Sequence, residues 1–401
     1  MKYDLVVIGS GPAGMSAAIK AAENGATVAL IDEHPIAGGK LLGQLHEEPT
    51  TGWWIGKEVA QELASKVKKL GIICFQETEV WGIFPHWKVL LNKGEELQAE
   101  HVIIATGAAE KAIPIPGWTI PGVMAVGAAQ VLTNYHRVKP GKKVAIIGVD
   151  PLSLTVAREL QMAGIDVVGI FLPPMNEFTK DLSSPQRMVA YLASMSNLAP
   201  NKFLKFTGKM MQQTALQNIG AKIYPRNGVK VWGIPLFLRK TVVEIEGTEQ
   251  VARIKIAPIT VAGIIDKKKL TTLEVDCVCL SGGLYPLSEL AGAAQCDFVY
   301  LEELGGHVPL HGPEMETTKS GIFVAGNITG IESAKVALAQ GELAGTVICA
   351  RLGLLKDEPN SLIKKAQEKV KLARENSLIK FQPNIEIGRE KLHQLWIEKV
   401  K

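Results

Sequence analysis

Residues 5–14 read LVVIGSGPAG, an apolar run that leads through a glycine-rich turn into a run of small residues, Met15 to Asn24. This pattern is typical of a strand, turn and helix that together bind the pyrophosphate of a dinucleotide. Gly9 permits the tight turn, Gly11 lets the backbone approach the phosphates, and Gly14 lets the helix pack closely on the strand. The N-terminus of the helix then faces the anion.

Two features that follow this turn fit an FAD site. Asp32 comes 23 positions after Gly9, close to the ~20 expected for a carboxylate that binds an adenosine ribose, and Glu33 is its neighbour. Gly38-Gly39 would let bare backbone approach a pyrophosphate or the edge of a flavin ring. Lys40, the next residue, is a candidate contact to phosphate or flavin.

Two later features complete the predicted FAD site. Ala105-Thr106-Gly107 ends a strand at the edge where open parallel sheets bind ligands. Gly326-Asn327 precedes a helix start at Ala334-Lys335, whose backbone amides would lie beside the anionic N1–O2 edge of reduced flavin. The candidate cofactor-binding residues are Gly9, Gly11, Pro12, Ala13, Gly14, Asp32, Glu33, Gly38, Gly39, Lys40, Glu79, Val80, Ala105, Thr106, Gly107, Gly326, Asn327, Ala334 and Lys335.

A second turn of the same type begins at Gly148 but keeps only its first glycine. It follows the apolar run 143–147 and reads GVDPLS. Asp150 puts a Cβ and a negative charge where a phosphate would come, and Pro151 opens the helix. Phe171, 23 positions after Gly148, is neither an acid for a ribose nor an arginine for a 2′-phosphate. The degenerate second site is therefore expected not to bind NAD(P), and another nucleotide such as ATP is the alternative occupant.

The order of elements predicts an α/β protein with two Rossmann-like dinucleotide-binding domains, the three-layer fold of FAD- and NAD(P)-binding proteins. Prolines in 113–122 forbid a helix and mark the crossing between domains. We interpret 1–112 as the first part of an FAD-binding domain, 113–290 as the second dinucleotide domain with an insertion around 175–258, 291–352 as the return segment of the first domain, and 353–401 as a helical extension.

Composition excludes several classes of function. A formal charge of +4 with dispersed Lys and Arg does not indicate nucleic-acid binding. No run reaches the ~20 apolar residues of a membrane span, and the first apolar run belongs to a strand, so a cytoplasmic protein is expected. The five cysteines form neither a C-x-x-C pair nor a metal-ligand quartet. We therefore expect no metal site, and buried structural thiols.

These motifs resemble the pyridine nucleotide-disulphide oxidoreductases. The residues that carry the resemblance are Gly9–Gly14, Asp32, Gly38-Gly39, Ala105–Ala108, Gly282-Gly283 and Gly326-Asn327. Pro116-Gly-Trp118, Pro121-Gly-Val123 and Gly141-Lys-Lys143 are similar to one subgroup, the FAD-containing α-type subunits of amine and amino-acid dehydrogenases. Its members are sarcosine oxidase, dye-linked L-proline or hydroxyproline dehydrogenase, opine oxidase and hydrogen cyanide synthase. The likeness covers roughly residues 1–352.

The chain departs from the family in three places. Asn327 stands where the family commonly has Asp, and an amide can still bind a ribityl or phosphate oxygen. The redox C-x-x-C of disulphide reductases is absent, which argues against thiol reduction. Members of the subgroup often carry a cysteine-rich iron-sulphur extension, whereas residues 353–401 contain no cysteine. The resemblance therefore implies that any cluster lies on another polypeptide.

The resemblance implies an FAD-dependent oxidoreductase, an electron-transferring subunit of a hetero-oligomeric dehydrogenase acting on CH–NH donors of the proline, sarcosine or opine type. Its partners would be an amine-oxidising flavoprotein and an iron-sulphur subunit. Two alternatives stay open: a free-standing NAD(P)H-dependent reductase of the ferredoxin or quinone type, and a non-catalytic flavin-bearing structural subunit. No catalytic residue can be assigned. Candidate bases by residue type alone are His46, His86, His136, His307 and His311.

Overall fold

Two large sheets organise the chain, each in its own compact unit. The computed structural model describes residues 1–48, 52–180, 182–194, 220 and 222–400. Unit 1 contains Met1–Leu42, Ile55–Ala109 and Leu284–Lys401, and unit 2 contains Gly43–Trp54 and Glu110–Gly283.

The strands and helices alternate in the manner of an α/β protein. The strands of the described residues are β1 (Lys2–Ile8), β2 (Val28–Ile31), β3 (Leu45–Glu48), β4 (Gly52–Ile55), β5 (Ile73–Phe75), β6 (Val80–Phe84), β7 (Lys88–Leu91), β8 (Glu96–Ile104), β9 (Ala108–Glu110), β10 (Val123–Ala125), β11 (Lys143–Ile147), β12 (Asp166–Leu172), β13 (Val229–Val231), β14 (Ile234–Gly247), β15 (Val251–Pro258), β16 (Thr271–Glu274), β17 (Cys277–Leu280), β18 (Leu284–Pro286), β19 (Phe298–Leu301), β20 (Gly306–Pro309) and β21 (Ile322–Val324). The α-helices that lie wholly within the described residues are α1 (Pro12–Glu23), α2 (Gly56–Lys69), α3 (Val126–Asn134), α4 (Pro151–Met162), α5 (Pro185–Ser194), α6 (Glu289–Ala293), α7 (Ala334–Arg351), α8 (Pro359–Glu375) and α9 (Ile385–Val400).

The sheet of unit 1 has the order β5-β2-β1-β8-β7-β6, and β21 also pairs with β8. Strands β1, β2, β5, β8 and β21 run parallel, whereas β6, β7 and β8 form an antiparallel meander. In the parallel part Ile8 lies opposite both Ile31 and Ile104. The residues that follow, Gly9, Asp32 and Ala105, therefore leave the sheet at the same edge.

Helices α1 and α7 pack through small residues. A Cβ at Gly341 would lie 2.1 Å from the carbonyl oxygen of Ala13, and one at Gly345 would lie 2.8 Å from that of Ala17. Both glycines belong to α7 and both alanines to α1, so two glycines four positions apart give the helices a close approach. Because of this contact the N-terminus of α7 is fixed relative to the N-terminus of α1.

The sheet of unit 2 has the order β10-β17-β11-β12-β14-β15-β16, with β13 paired to β14. Strands β10, β17, β11 and β12 are parallel and β14 joins β12 in parallel, whereas β14, β15 and β16 form antiparallel pairs in that order. The predicted α/β fold with two Rossmann-like units is confirmed. Within the insertion expected around 175–258, residues 222 and 223 are helical and residues 195–219 lie outside the described residues.

The segment Gly43–Trp54 belongs to unit 2, although its chain neighbours on both sides belong to unit 1. It forms the hairpin of β3 and β4. The side-chain amide of Asn134 donates a hydrogen bond of 2.7 Å to the carbonyl of Gly43, and Arg158 pairs with Glu47 at 2.9 Å. These contacts tie the segment to residues of unit 2.

The extension after α7 is built into unit 1. Helix α8 packs on α7, and Trp396 of α9 packs so closely over Gly312 that a Cβ there would lie 2.7 Å from the indole ring. Within the described ranges, no helix is both long and apolar enough to cross a bilayer.

Candidate nucleotide-binding site

Two glycines of the first turn are required by the protein itself. Gly9 has a φ of +101°, and a Cβ there would lie 2.5 Å from the carbonyl oxygen of Ala105. A Cβ at Gly14 would lie 1.8 Å from the carbonyl oxygen of Gly9. These contacts hold α1 tightly against the end of β1.

Gly11 differs from Gly9 and Gly14, because no contact within the protein requires a glycine at this position. It has an ordinary φ of −70°, and no protein atom lies within 4 Å of the position of its Cβ. Gly11 is the N-cap of α1, and no side chain caps this helix. The space and the uncapped amides suit a pyrophosphate, which would take the place of both the missing Cβ and the missing cap.

Asp32 is held at the same edge by a residue that the sequence analysis did not single out. Its Oδ2 accepts hydrogen bonds from the backbone N–H of Ser10 at 2.5 Å and from the Ser10 hydroxyl at 2.6 Å, while Oδ1 accepts from the N–H of His34 at 2.9 Å. Oδ1 can accept a further bond, so the group remains able to bind a ribose hydroxyl. Ser10 lies inside the fingerprint, between its first two glycines, which is the signal that could have identified it.

Gly38 and Gly39 approach the first turn directly. The N–H of Gly38 donates to the carbonyl of Ser10 at 2.9 Å. A Cβ at Gly39 would lie 3.2 Å from the Cα of Gly11. The structure therefore brings these predicted residues together. Glu33 and Lys40, predicted beside them, are exposed.

The remaining wall is formed by two loops. The N–H of Thr78 donates to the carbonyl of Asp32 at 3.0 Å, which places Glu79 and Val80 next along this edge. The Thr106 hydroxyl donates to the carbonyl of Leu287 at 2.6 Å, and Gly107 takes a φ of +77°. Ala105, Thr106 and Gly107 thus follow β8 at the edge shared with Gly9.

Gly326 follows β21 and contacts the first helix. A Cβ there would lie 3.0 Å from the Cβ of Ala13, and its N–H donates to the side-chain oxygen of Gln340 at 2.8 Å. Asn327 accepts a bond of 3.1 Å from the N–H of Glu332. Gln340 is buried and was not predicted, because its role depends on a contact between α7 and the Gly326 loop that no local motif signals.

Ala334 and Lys335 form the first turn of α7. The Ser333 hydroxyl caps this helix by accepting from the N–H of Val336 at 3.4 Å. Ala334 is half-buried and Lys335 is exposed. The N-terminus of α7 therefore follows directly from the Gly326 loop at this end of the candidate site.

At the second turn, the N-terminus of helix α4 is capped by side chains of the protein. Asp150 caps α4: its Oδ1 accepts from the N–H of Ser153 at 2.8 Å, and the Ser153 hydroxyl accepts from the N–H of Asp150 at 2.9 Å. The Ser281 hydroxyl donates to Oδ2 of Asp150 at 2.6 Å. Burial raises the pKa of Asp150, and the hydrogen bonds from Ser281 and Ser153 oppose that shift. A carboxylate of the protein therefore occupies the helix N-terminus that a phosphate would use.

Two further positions near this turn are also filled by protein side chains. Phe171, at the position of the ribose-binding acid, is buried and stacks on Phe237 with ring centroids 5.0 Å apart. A carboxylate also lies at the N-terminus of helix α3, where both oxygens of Glu110 accept from the N–H of Gly127, at 3.0 and 3.1 Å. Gly148, with a φ of +116°, is required because a Cβ would lie 1.9 Å from the carbonyl oxygen of Ser281.

The cysteines and His46 are not among the residues that form the candidate nucleotide-binding site. Cys277, Cys279, Cys296 and Cys349 are buried, whereas Cys74 is exposed, so the expectation of burial is wrong for that residue. His46 belongs to unit 2, where it stacks on Trp54 and lies 3.7 Å from Glu48. Over the part of the chain that the structure describes, no three His, Cys, Asp or Glu side chains group as metal ligands.

Known proteins share this architecture. The family pattern described as pyridine nucleotide-disulphide oxidoreductase matches residues 3–341. One of the subunits of opine oxidase from Agrobacterium tumefaciens (strain Ach5) is 28% identical over 374 residues, which cover 90% of this chain and 68% of the relative. Hydrogen cyanide synthase subunit HcnB of Pseudomonas protegens is 26% identical over 376 residues, covering 89% of this chain and 72% of the relative.

The fold also matches solved structures. The chain of L-proline dehydrogenase from P. horikoshii has a TM-score of 0.65 at 22% identity, covering 92% of this chain. This chain spans 59% of the length of that dehydrogenase chain.

Proposed function

Since the chain belongs to the pyridine nucleotide-disulphide oxidoreductase family, a family of flavoprotein oxidoreductases, we propose that it binds FAD in unit 1 and relays electrons as one subunit of a hetero-oligomeric amine or amino-acid dehydrogenase. The chain would carry electrons from an amine-oxidising partner flavoprotein to a partner that carries an iron-sulphur cluster or to a quinone-like acceptor.

The contrast between the two helix N-termini carries this proposal. The N-cap of helix α1 is Gly11, which provides no side-chain cap and leaves room for a phosphate. The N-cap of helix α4 is Asp150, whose carboxylate already fills the corresponding position and is held by Ser281. One unit is therefore suited to a dinucleotide and the other is not. Such a chain needs an electron donor other than NAD(P)H.

Particular residues would hold FAD. The amides of the first turn of α1 would bind the pyrophosphate, Asp32 would accept a ribose hydroxyl, and the first turn of α7 would stabilise negative charge on the ring. The bound flavin supplies reversible storage and transfer of electrons. The protein orients the ring and sets its potential. Asn327, by accepting from the N–H of Glu332, orients the loop that leads into α7.

The names of the relatives support the role of one chain within a larger enzyme. The opine oxidase and hydrogen cyanide synthase relatives are each designated subunits. The choice among proline, sarcosine and opine substrates would then rest with the partner that oxidises the C–N bond.

An anaerobic absorbance titration of the purified protein tests the proposal. The absorbance of the flavin band at ~450 nm is followed while NADH and then NADPH are added. A co-purified partner and its amino acid are added afterwards. We expect no bleaching by either nucleotide and bleaching once the partner and substrate are present. Prompt bleaching by NADPH would instead support a free-standing reductase. A flavin that dithionite reduces but no partner reduces would support a purely structural role.

A further inference from the structure

A cavity of about 170 Å³ lies inside unit 1, beside the N-terminus of α7. Its wall is formed by Ile331 to Ser333 and by residues 374–389 of the C-terminal extension. A cavity of roughly 150 Å³ is enough to hold benzene, so this one has room for a molecule of about that size. None of the FAD-binding residues named above lines it, although Ser333, the N-cap of α7, does.

The charges around this cavity do not cancel. Arg374, Arg389 and Lys380 line it together with only two carboxylates, Glu332 and Glu386. Arg374 Nε lies 2.8 Å from Glu332, Lys380 lies 2.6 Å from Glu386, and Arg389 also pairs with Glu332. One positive charge is left in excess, and the N-terminus of α7 adds its partial positive charge.

Arg389 has the least exposed side chain of the three cations. It donates to the carbonyl of Thr329 at 2.7 Å and to the Thr329 hydroxyl at 3.1 Å, but its Nε is buried and has no hydrogen-bond partner among the described residues. A cation held away from water is costly, and an anion in the adjoining cavity would offset part of that cost. Burial lowers the pKa of Arg389 to about 10, against the opposing effect of the Glu332 carboxylate.

The rest of the wall is apolar. Ile331, Ile379, Phe381 and Ile385 line the cavity beside the cations, and Ile331 and Ile385 are buried. Two hydroxyls, those of Ser333 and Ser377, lie 3.1 Å apart at the helix start. A fully hydrated inorganic anion makes no use of apolar walls, whereas a carboxylate with a hydrocarbon body matches both surfaces.

We infer that this cavity binds a small monocarboxylate with an apolar body, its carboxylate facing Arg374, Lys380 and Arg389 and its hydrocarbon part facing Ile379, Phe381 and Ile385. The site is separate from the proposed electron relay. It would bind its ligand whether or not the flavin accepts electrons from a partner.

Calorimetric titration of the purified protein at low salt tests this inference, with benzoate as the probe and benzamide as its neutral isostere. We expect one benzoate per chain with a Kd of roughly 0.1–1 mM, which suits a ligand of about nine non-hydrogen atoms. Benzamide should bind at least about tenfold more weakly, because it lacks the charge.

A pair of lysine variants locates the site. Lys380→Met removes a cation from the cavity wall without touching the Glu332 ion pairs, and should weaken benzoate binding by roughly five- to tenfold. Lys391→Met removes a cation that pairs with Glu303 outside the cavity, and should leave binding unchanged. Circular dichroism and the Tm of both variants check the fold.

Any of four results would overturn the inference, and the first three concern benzoate, benzamide and the lysine variants. They are no saturable binding of benzoate up to about 20 mM, equal binding of benzamide, or equal weakening by Lys380→Met and Lys391→Met. Inorganic phosphate binding as tightly as benzoate would also overturn it, because the apolar wall would then contribute nothing. None of these readouts depends on flavin reduction.

Discussion

The hydroxyl of Ser281 donates a hydrogen bond of 2.6 Å to the carboxylate of Asp150, although the two residues are 131 positions apart in the chain. Ser281 follows β17, and Asp150 lies in the turn after β11. Because these strands are neighbours in the sheet, the bond ties the second turn to the adjacent strand end. The helix N-terminus at Asp150 is thus closed by tertiary structure as well as by its own cap.

Replacing Asp150 with Ala should destabilise unit 2 without creating a nicotinamide site. Loss of the cap costs about 1 kcal/mol, and the unpaired Ser281 hydroxyl adds a similar amount. Urea denaturation should therefore show a loss of roughly 2 kcal/mol, while NADH and NADPH still fail to bleach the flavin. Asp166→Ala, at an exposed strand start, is the matched control. Rapid bleaching of the Asp150→Ala flavin by NADPH would contradict the interpretation.

Replacing Gly11 with Ala should remove FAD without harming the fold. The new methyl group meets no protein atom within 4 Å and the backbone angle is ordinary, so Tm of the apoprotein should stay unchanged. The pyrophosphate would lose its close approach, and we expect FAD affinity to fall by about tenfold or more. The flavin-to-protein absorbance ratio measures this. Gly292→Ala in α6 is the control, because its Cβ would have no neighbour nearer than 3.7 Å, and it should retain FAD. Equal FAD content in both variants would refute the assignment of Gly11 to the pyrophosphate site.

Replacing Gly341 with Ala should disturb both stability and cofactor binding. Its methyl group would lie 2.1 Å from the Ala13 carbonyl oxygen, so α7 has to move away from α1. Overpacking of this kind costs roughly 1–3 kcal/mol. Thermal unfolding and FAD retention should both decrease. Glu342→Gln, at the next position, removes only a partly exposed ion pair with Lys369 and should change stability by less than about 1 kcal/mol. Unchanged Tm in Gly341→Ala would show that the contact is not tight.

The stability of unit 2 should depend on pH through Glu159. Burial raises the pKa of this carboxyl from 4.5 to about 8, against hydrogen bonds from Gln130 and Asn134. The carboxyl of Glu159 then holds its proton more tightly in the folded state than in the unfolded state. Its favourable contribution to the free energy of unfolding is therefore complete below about pH 4.5 and is lost as pH rises to about 8. The expected loss is of the order of 3–5 kcal/mol.

Glu159→Gln removes this titration and keeps the shape of the side chain. Urea denaturation between about pH 5 and pH 8 should show a flatter dependence in Glu159→Gln than in the parent protein. Glu47→Gln, on the hairpin that packs nearby, alters only an exposed ion pair with Arg158 and should keep the parent profile. Identical slopes in the parent and Glu159→Gln would show that Glu159 titrates normally.

Much of the candidate site could be predicted because its determinants are local. A glycine-rich turn after an apolar run restricts the backbone whatever surrounds it, so the strand, turn and helix around Gly9 follow from residues 5–14. The spacing to Asp32 likewise reflects the length of one helix and one further strand. The charge of Asp150 at a phosphate position could also be read directly from the sequence.

The partners of these residues could not be predicted, because they come from distant parts of the chain. Ser10 and Gln340 fix Asp32 and Gly326, and Ser281 holds Asp150, through contacts that only the tertiary fold creates. The glycine spacing in α7 was a readable signal of close helix packing, but not of which helix would pack there. The segment Gly43–Trp54 joins unit 2 through Asn134 and Arg158, and no local pattern marks that choice.

The division of the chain has a consequence for protein synthesis. Unit 2 has all its residues once position 283 has been translated, whereas unit 1 still lacks β21 and α7, which begin at Ile322 and Ala334. Until those residues leave the ribosome, α1 has no partner for its small-residue face, and β8 lacks its pairing with β21. Exposed apolar faces and unpaired edges favour aggregation of nascent chains. A chaperone that shields the N-terminal part of unit 1 during translation would therefore have its largest effect there.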